Sequence, residues 1–135
     1  MRGTPIRARP GSPLNSVRAL WLSLEHLLVG TGGLLSAGID RVRQKPGRNS
    51  VHAQYTVFVE NRQACQAALQ EAGIPTAVHY PIPLNEQPAY REAARGGPTP
   101  LSAAAARRVL SLPMSADIAP EVQHRIVQSL RAALR

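Results

Sequence analysis

The sequence predicts a small α/β domain in which helices cover one face of a mostly antiparallel sheet. Within residues 52–60, side chains are predicted to point alternately to the two faces of a strand. Tyr55, Val57 and Val59 lie on one face, and Thr56 lies on the other. Alternation of β-branched and aromatic residues is typical of a half-buried strand. Segments 61–72 and 120–135 instead carry apolar residues at helical spacing. A strand followed by amphipathic helices indicates the α/β class.

The first predicted helix follows this strand directly. Asn61 is a favourable N-cap, because its side-chain oxygen can accept a free backbone N–H of the first turn. Gly73 ends the helix at the position where left-handed backbone geometry is usual. Residues 74–79 form a second predicted strand, which Pro81 and Pro83 close.

Further elements are predicted in the C-terminal part of the chain. Residues 86–95 are a candidate short helix, and another helix starts at Thr99 or Ser102. Val109–Leu112 has the composition of a brief strand. A last helix begins at Pro120, a residue that suits the first helical turn. Its apolar face is predicted to contain Val122, Ile126, Val127, Leu130 and Ala133.

The positive charge is concentrated near the N-terminus. The net charge is +8, and residues 1–50 carry eight basic side chains against Glu25 and Asp40. Most basic residues are arginine, without the interleaved aromatic residues of a nucleic-acid surface. A basic leader that acts on nucleic acid is therefore the weakest functional hypothesis, and no nucleic-acid partner is predicted.

The chain divides near residue 49. Residues 1–14 combine Pro, Gly, Ser and Arg, a composition that cannot bury enough apolar surface to fold. Residues 17–29 are apolar enough for one helix, and residues 44–50 are typical of a linker or turn. We predict a basic, poorly structured leader at 1–48 and a folded domain at 49–135.

The apolar stretch at 20–38 is a poor membrane span or signal peptide. Glu25 and His26 interrupt it, and no small-residue cleavage pattern follows. Cys65 is the single cysteine, which excludes an internal disulfide and a cysteine metal cluster. We predict that Cys65 is buried as a small hydrophobic residue. The sequence thus predicts a soluble, cytoplasmic protein without a membrane or metal partner.

Four segments, in one order, carry a resemblance to a known family. They are Val-His-Ala-Gln-Tyr-Thr-Val-Phe-Val at 51–59, Asn-Arg at 61–62, Gly-Ile-Pro-Thr-Ala-Val-His-Tyr-Pro-Ile-Pro-Leu-Asn-Glu-Gln-Pro-Ala-Tyr at 73–90, and Val-Leu-Ser-Leu-Pro-Met at 109–114. Together they resemble the C-terminal domain of the DegT/DnrJ/StrS family of sugar aminotransferases. The likeness is greatest to enzymes of the UDP-2-acetamido-3-keto-glucuronate type.

The resemblance implies an aspartate-aminotransferase-like fold. In this family a large domain binds pyridoxal 5'-phosphate (PLP), and a small C-terminal domain closes over the site of a homodimer. PLP chemistry needs a lysine for the Schiff base, and the family's lysine lies in the large domain. Lys45, the one lysine here, stands in a context that does not match that motif. We therefore assign no catalytic or cofactor-binding residue and expect no PLP on this chain alone.

The same resemblance identifies His79, Tyr80 and Tyr90 as candidate substrate-binding residues. An imidazole and a phenol can bind the hydroxyl, carboxylate and diphosphate oxygens of a nucleotide sugar. The alternatives are purely structural roles: loop capping by His79, partial burial of Tyr80 and packing of Tyr90 under the loop.

The other aromatic and basic candidates have structural interpretations. His52 and Tyr55 are expected in the core, and His124 is expected on the exposed face of the last helix. Arg107 and Arg108 are expected to solvate their helix rather than steer anions.

The predicted function is the C-terminal part of a sugar aminotransferase that makes amino sugars for bacterial surface polysaccharide. Glutamate is the expected amino donor, and the chain is expected to be inactive alone. The alternative is a non-catalytic binding or assembly module that pairs with a complete aminotransferase subunit. An upstream reading frame ending in the lysine motif would favour the first.

Overall fold

The computed structural model describes residues 18–19, 21–23, 39–48, 50–93, 97–115 and 117–135. Residues 18–19 and 21–23 are helical. The remaining elements, in chain order, are β1 (Asp40–Arg41), β2 (Tyr55–Phe58), α1 (Arg62–Glu71), a short 3₁₀ turn (Leu84–Glu86), α2 (Pro100–Arg108), β3 (Val109–Leu112) and α3 (Pro120–Ala133).

The three strands form one antiparallel sheet in the order β1-β2-β3. Tyr55 pairs with Leu112 and Val57 with Leu110, and these four side chains are buried on the same face. Thr56 pairs with Ser111 on the opposite face. Because alternate residues of a strand point to opposite sides, one face enters the core and the other carries the polar pair together with Phe58 and Val109.

Helices α1 and α3 pack together and cover the apolar face of the sheet. Leu69 of α1 and Leu130 of α3 are fully buried. Cys65 is also buried, as predicted, and burial raises the pKa of its thiol. The α/β class and the small antiparallel sheet are thus confirmed.

Local sequence signals account for the limits of the helices. The Asn61 side chain accepts a hydrogen bond from the Ala64 N–H, which confirms it as the N-cap of α1. Gly73 follows that helix with a φ of +71°, a conformation that costs glycine little. Helix α2 begins at Pro100 after Thr99, and α3 begins at Pro120, both as predicted.

Two predicted elements differ in the structure. Residues 74–79 do not form a regular strand, and Ala77 alone pairs there, with Ser111. Pro75 lacks a backbone N–H, so the segment cannot bond along its length. The predicted helix at 86–95 is replaced by the Leu84–Glu86 turn and further turns up to residue 93, and residues 94–96 lie outside the described part.

The sheet and core also extend N-terminally of the predicted boundary at residue 49. Ile39 is buried in the core, and β1 pairs with β2. Residues 46–47 form a turn in which Gly47 has a φ of +72°, so the segment predicted as a linker connects two paired strands. Of the predicted helix at 17–29, residues 18–19 and 21–23 are described, and Trp21 packs on the core. The rest of that segment lies outside the described residues.

Candidate functional site

A row of three polar side chains crosses the open face of the sheet. Thr56 Oγ1 lies 3.2 Å from Ser111 Oγ, and Ser111 Oγ lies 3.3 Å from His79 Nδ1. The backbone places His79 there, because Ala77 exchanges two hydrogen bonds with Ser111 and His79 is two residues further along the chain. Val78, between them, packs against the core on the other side.

Two residues of this row, Ser111 and His79, line an open cleft of about 370 Å³. Hydroxyl, imidazole and amide groups share the cleft with apolar side chains. Such a lining can bind an oxygen-rich ligand through neutral donors and acceptors. The cleft is formed by Ala53, Gln54, Pro75, Thr76, Ala77, His79, Ser111, Leu112, Pro113 and Met114.

The structure brings two of the three candidate substrate residues together. The rings of His79 and Tyr80 meet edge to face, with centroids 5.8 Å apart and planes at 84°. Tyr80 is 70% exposed, so its hydroxyl is free of the core. Tyr90 lies apart, half exposed, on a turn in which its N–H donates to the Gln87 carbonyl. Of the three candidates, His79 lines the cleft, and neither Tyr80 nor Tyr90 does.

His52, Tyr55 and His124 lie as expected, whereas Arg108 is held against its neighbours rather than solvated. Tyr55 is buried and His52 nearly so, and both contact the Trp21 ring. His124 is exposed on α3. Arg108 forms an ion pair with Glu60 at 2.6 Å and lies over the Phe58 ring. That pairing offsets its charge, so Arg108 is poorly suited to attract anions.

Sequence reasoning missed three polar residues of the open face, namely Gln54, Thr56 and Ser111. Ser111 is the one polar residue in the strand Val109–Leu112, and it is buried. A buried hydroxyl needs a hydrogen-bond partner, so its presence in an aliphatic strand was the available signal. The signal does not name the partner, because His79 is distant in sequence.

The described residues do not fit a PLP site. Lys45 is exposed beside the 46–47 turn, and its carbonyl accepts a hydrogen bond from the Arg48 N–H. It is not among the residues of the cleft. A Schiff-base lysine has to lie in a cleft that holds the cofactor's ring and phosphate. Lys45 has no such surroundings.

The described part of the chain has neither a metal-binding cluster nor a membrane-spanning helix. No cluster of three or more His, Cys, Asp or Glu side chains suited to a metal ion lies there. None of its helices has the length and apolar character needed to cross a membrane.

The profile of the DegT/DnrJ/EryC1/StrS aminotransferase family matches residues 18–131. UDP-2-acetamido-2-deoxy-3-oxo-D-glucuronate aminotransferase of Pseudomonas aeruginosa is 57% identical over 65 residues, which cover 48% of this chain and 18% of that enzyme. dTDP-3-amino-3,4,6-trideoxy-alpha-D-glucose transaminase of Streptomyces venezuelae is 33% identical over 111 residues, 82% of this chain and 28% of that enzyme.

Solved structures of sugar aminotransferases share the fold. A DegT DnrJ EryC1 StrS aminotransferase from Brucella abortus superposes with a TM-score of 0.75 at 29% identity, over 89% of this chain and 31% of that one. S. venezuelae DesV, in complex with a ketimine intermediate, gives 0.77 at 28% identity, over 90% and 32%. The chain thus spans less than a third of the length of these relatives.

Proposed function

Because the chain belongs to the DegT/DnrJ/EryC1/StrS aminotransferase family, we propose that it is the substrate-side C-terminal domain of a PLP-dependent nucleotide-sugar aminotransferase. The substrate is a 3-keto sugar of the UDP-2-acetamido-glucuronate type, the amino donor is glutamate, and the product serves surface polysaccharide. The working enzyme is a cytoplasmic homodimer. Catalysis requires a lysine-bearing large domain, so this chain alone is inactive.

The polar row of Thr56, Ser111 and His79 supports a role on the substrate side. It lies on the sheet face opposite the packed helices, and its Ser111 and His79 line the cleft. In this proposal His79 and Tyr80 bind substrate oxygens, and Tyr90 reaches the substrate from its turn. Neither tyrosine lines the cleft, but Tyr80 contacts the ring of His79, whereas Tyr90 lies on a separate turn and has the least support of the three.

The relatives support the choice of substrate. The Pseudomonas aeruginosa enzyme that shares 57% identity is named for a UDP-2-acetamido-2-deoxy-3-oxo-D-glucuronate substrate. That identity extends over 65 residues, about half of this chain. Another similar protein is named as a UDP-N-acetyl-3-dehydro-glucosamine aminotransferase, which also acts at carbon 3.

The decisive experiment compares the chain alone with a chimera. The chimera joins the large domain of the Pseudomonas aeruginosa relative to this chain, in place of the relative's own C-terminal domain. Each protein receives PLP, glutamate and the 3-keto sugar nucleotide. We expect the chimera to produce the amino sugar and the isolated chain to produce none. Borohydride reduction followed by mass spectrometry should find no stoichiometric PLP adduct on Lys45.

Two results would contradict the proposal. A specific Lys45 adduct together with amino transfer by the isolated chain would show that the large domain is dispensable. A folded, PLP-loaded chimera without activity would show that this domain does not complete the site. If the chain then bound the complete relative in sedimentation experiments, the alternative of a non-catalytic assembly module would be favoured instead.

A further inference from the structure

Ser111 lies where three parts of the chain meet. Its backbone pairs with Thr56 of β2 on one side and with Ala77 on the other. Its hydroxyl lies within hydrogen-bond distance of Thr56 Oγ1 (3.2 Å) and His79 Nδ1 (3.3 Å). The Ser111 side chain is thus the link between the sheet and the imidazole at the cleft.

A packing role alone does not explain a serine at this position. The other three residues of β3 are aliphatic, and Ser111 is 5% exposed. Burying a hydroxyl costs free energy unless its hydrogen bonds are made, whereas alanine would fill the site without that cost. We therefore infer that the Ser111 hydroxyl is there to form hydrogen bonds with Thr56 and His79.

The distances allow two proton arrangements in this row, because either hydroxyl can donate to the other and the neutral imidazole can either donate or accept at Nδ1. A serine hydroxyl has one proton to donate and lone pairs to accept, and a neutral imidazole has one N–H. If Thr56 donates to Ser111, then Ser111 donates to His79 Nδ1, and the imidazole proton is on Nε2. Each bond in such a chain polarises the next, which strengthens both. Nδ1 is the His79 nitrogen with a hydrogen-bond partner among the described residues, so Nε2 is left for the cleft.

We propose that Ser111, supported by Thr56, is a positioning residue that holds neutral His79 in the tautomer with its proton on Nε2. His79 then offers the cleft an N–H donor, which suits an acceptor oxygen of a carboxylate, a diphosphate or a keto group. The identity of that ligand rests on the proposed function. The tautomer does not, because it depends on residues within this chain.

The test measures the His79 ring directly in the 135-residue chain. Histidine ring ¹⁵N shifts distinguish Nδ1–H from Nε2–H, and a His79→Gln variant assigns the signals. At a pH where the ring is neutral, we expect the Nε2–H form in the wild-type protein. Ser111→Ala should raise the ratio of Nδ1–H to Nε2–H roughly fivefold, the effect of losing one neutral hydrogen bond.

Three variants separate positioning from mere packing. Ser111→Thr keeps a hydroxyl and should restore the wild-type ratio. Thr56→Val removes the supporting donor at nearly constant shape and should shift the ratio in the same direction by less. Ser115→Ala alters an exposed serine and should change nothing. Amide spectra confirm that each variant is folded.

A wild-type ring with its proton on Nδ1, or an unchanged ratio in a folded Ser111→Ala protein, would overturn the proposal. Titration with UDP-N-acetylglucosamine, followed at Nε2, tests the ligand separately. We expect several-fold weaker binding by Ser111→Ala than by wild type. Absence of any Nε2 response in the wild-type protein would count against substrate contact, whereas the tautomer result would stand on its own.

Discussion

The two faces of the sheet divide the molecule into a part that stabilises it and a part that presents polar groups. On the packed face, Tyr55, Val57 and Leu110 are buried beneath two helices. On the open face, Thr56 and Ser111 hydrogen-bond to each other and lead to His79. Adjacent residues of the same strand thus contribute to different properties, one set to the packed core and the other to the polar surface. Substitutions on the first face should change stability, and those on the second should change binding.

The largest expected effect is on the packed face. Leu130 is fully buried between α3 and the rest of the core. Leu130→Ala removes apolar contacts and leaves a cavity, so it should lower the free energy of unfolding by about 3 kcal/mol. Urea denaturation followed by circular dichroism measures this. Leu101→Ala, at a leucine that is 87% exposed, is the matched control and should change stability little. Equal losses for both variants would remove the distinction between core and surface.

The next effect concerns the part of the core that precedes residue 49. Ile39 is 6% exposed and lies next to β1. Ile39→Ala should lower the unfolding free energy by about 2 kcal/mol, the cost of a smaller buried truncation. Limited proteolysis should still cut first within the Arg-rich N-terminal residues. An unchanged stability in Ile39→Ala would favour a folded unit that starts near residue 49, as the sequence predicts.

On the open face, His79 should affect turnover rather than stability. In the active chimera, His79→Ala or Tyr80→Phe should lower kcat/KM about 10-fold, equivalent to about 1.4 kcal/mol of transition-state stabilisation. PLP absorbance should be unchanged, because neither residue is proposed to hold the cofactor. His124→Ala, at an exposed histidine of α3, is the control and should retain full activity. Normal kinetics with reduced stability in His79→Ala would assign the residue to structure.

Local signals predicted the packed face better than the open one. The Asn61 cap, the glycine after α1, β3 and the start of α3 each depend on a few adjacent residues, and the structure has all of them. Family resemblance, confirmed by the profile match, pointed to His79 and Tyr80. The contact of His79 with Ser111 and Thr56 depends on strand pairing between distant segments. No local pattern reports such pairing.

The same limit explains one strand that was predicted but is not formed and one strand that was not predicted. Residues 74–79 have β-forming composition, but Pro75 and a single bridge at Ala77 reduce them to an extended segment. Strand β1 is two residues long, too short to give an alternating pattern. Both are edge features whose state is decided by the partner strand rather than by their own sequence.

The smallest expected effect is a pH dependence at the end of the packed face. His52 is 9% exposed, its ring centroid lies 4.8 Å from that of Trp21, and its Nδ1 has no hydrogen-bond partner among the described residues. Burial lowers the pKa of His52 below its ordinary value of 6.5, and the nearby Arg18 charge lowers it further. Well above pH 6.5 His52 is neutral in both folded and unfolded chains, so its contribution to stability is fully present. As the pH falls below that value, the unfolded chain binds a proton that the folded chain resists, and stability decreases.

Urea midpoints at about pH 7.5 and about pH 5.5 should therefore differ more in the wild-type protein than in His52→Asn. Asparagine is the suitable replacement because it tolerates the φ of +51° at this position. Fluorescence of Trp21, the only tryptophan, should report the same transition. Equal pH dependence in the two proteins would exclude His52 as its source.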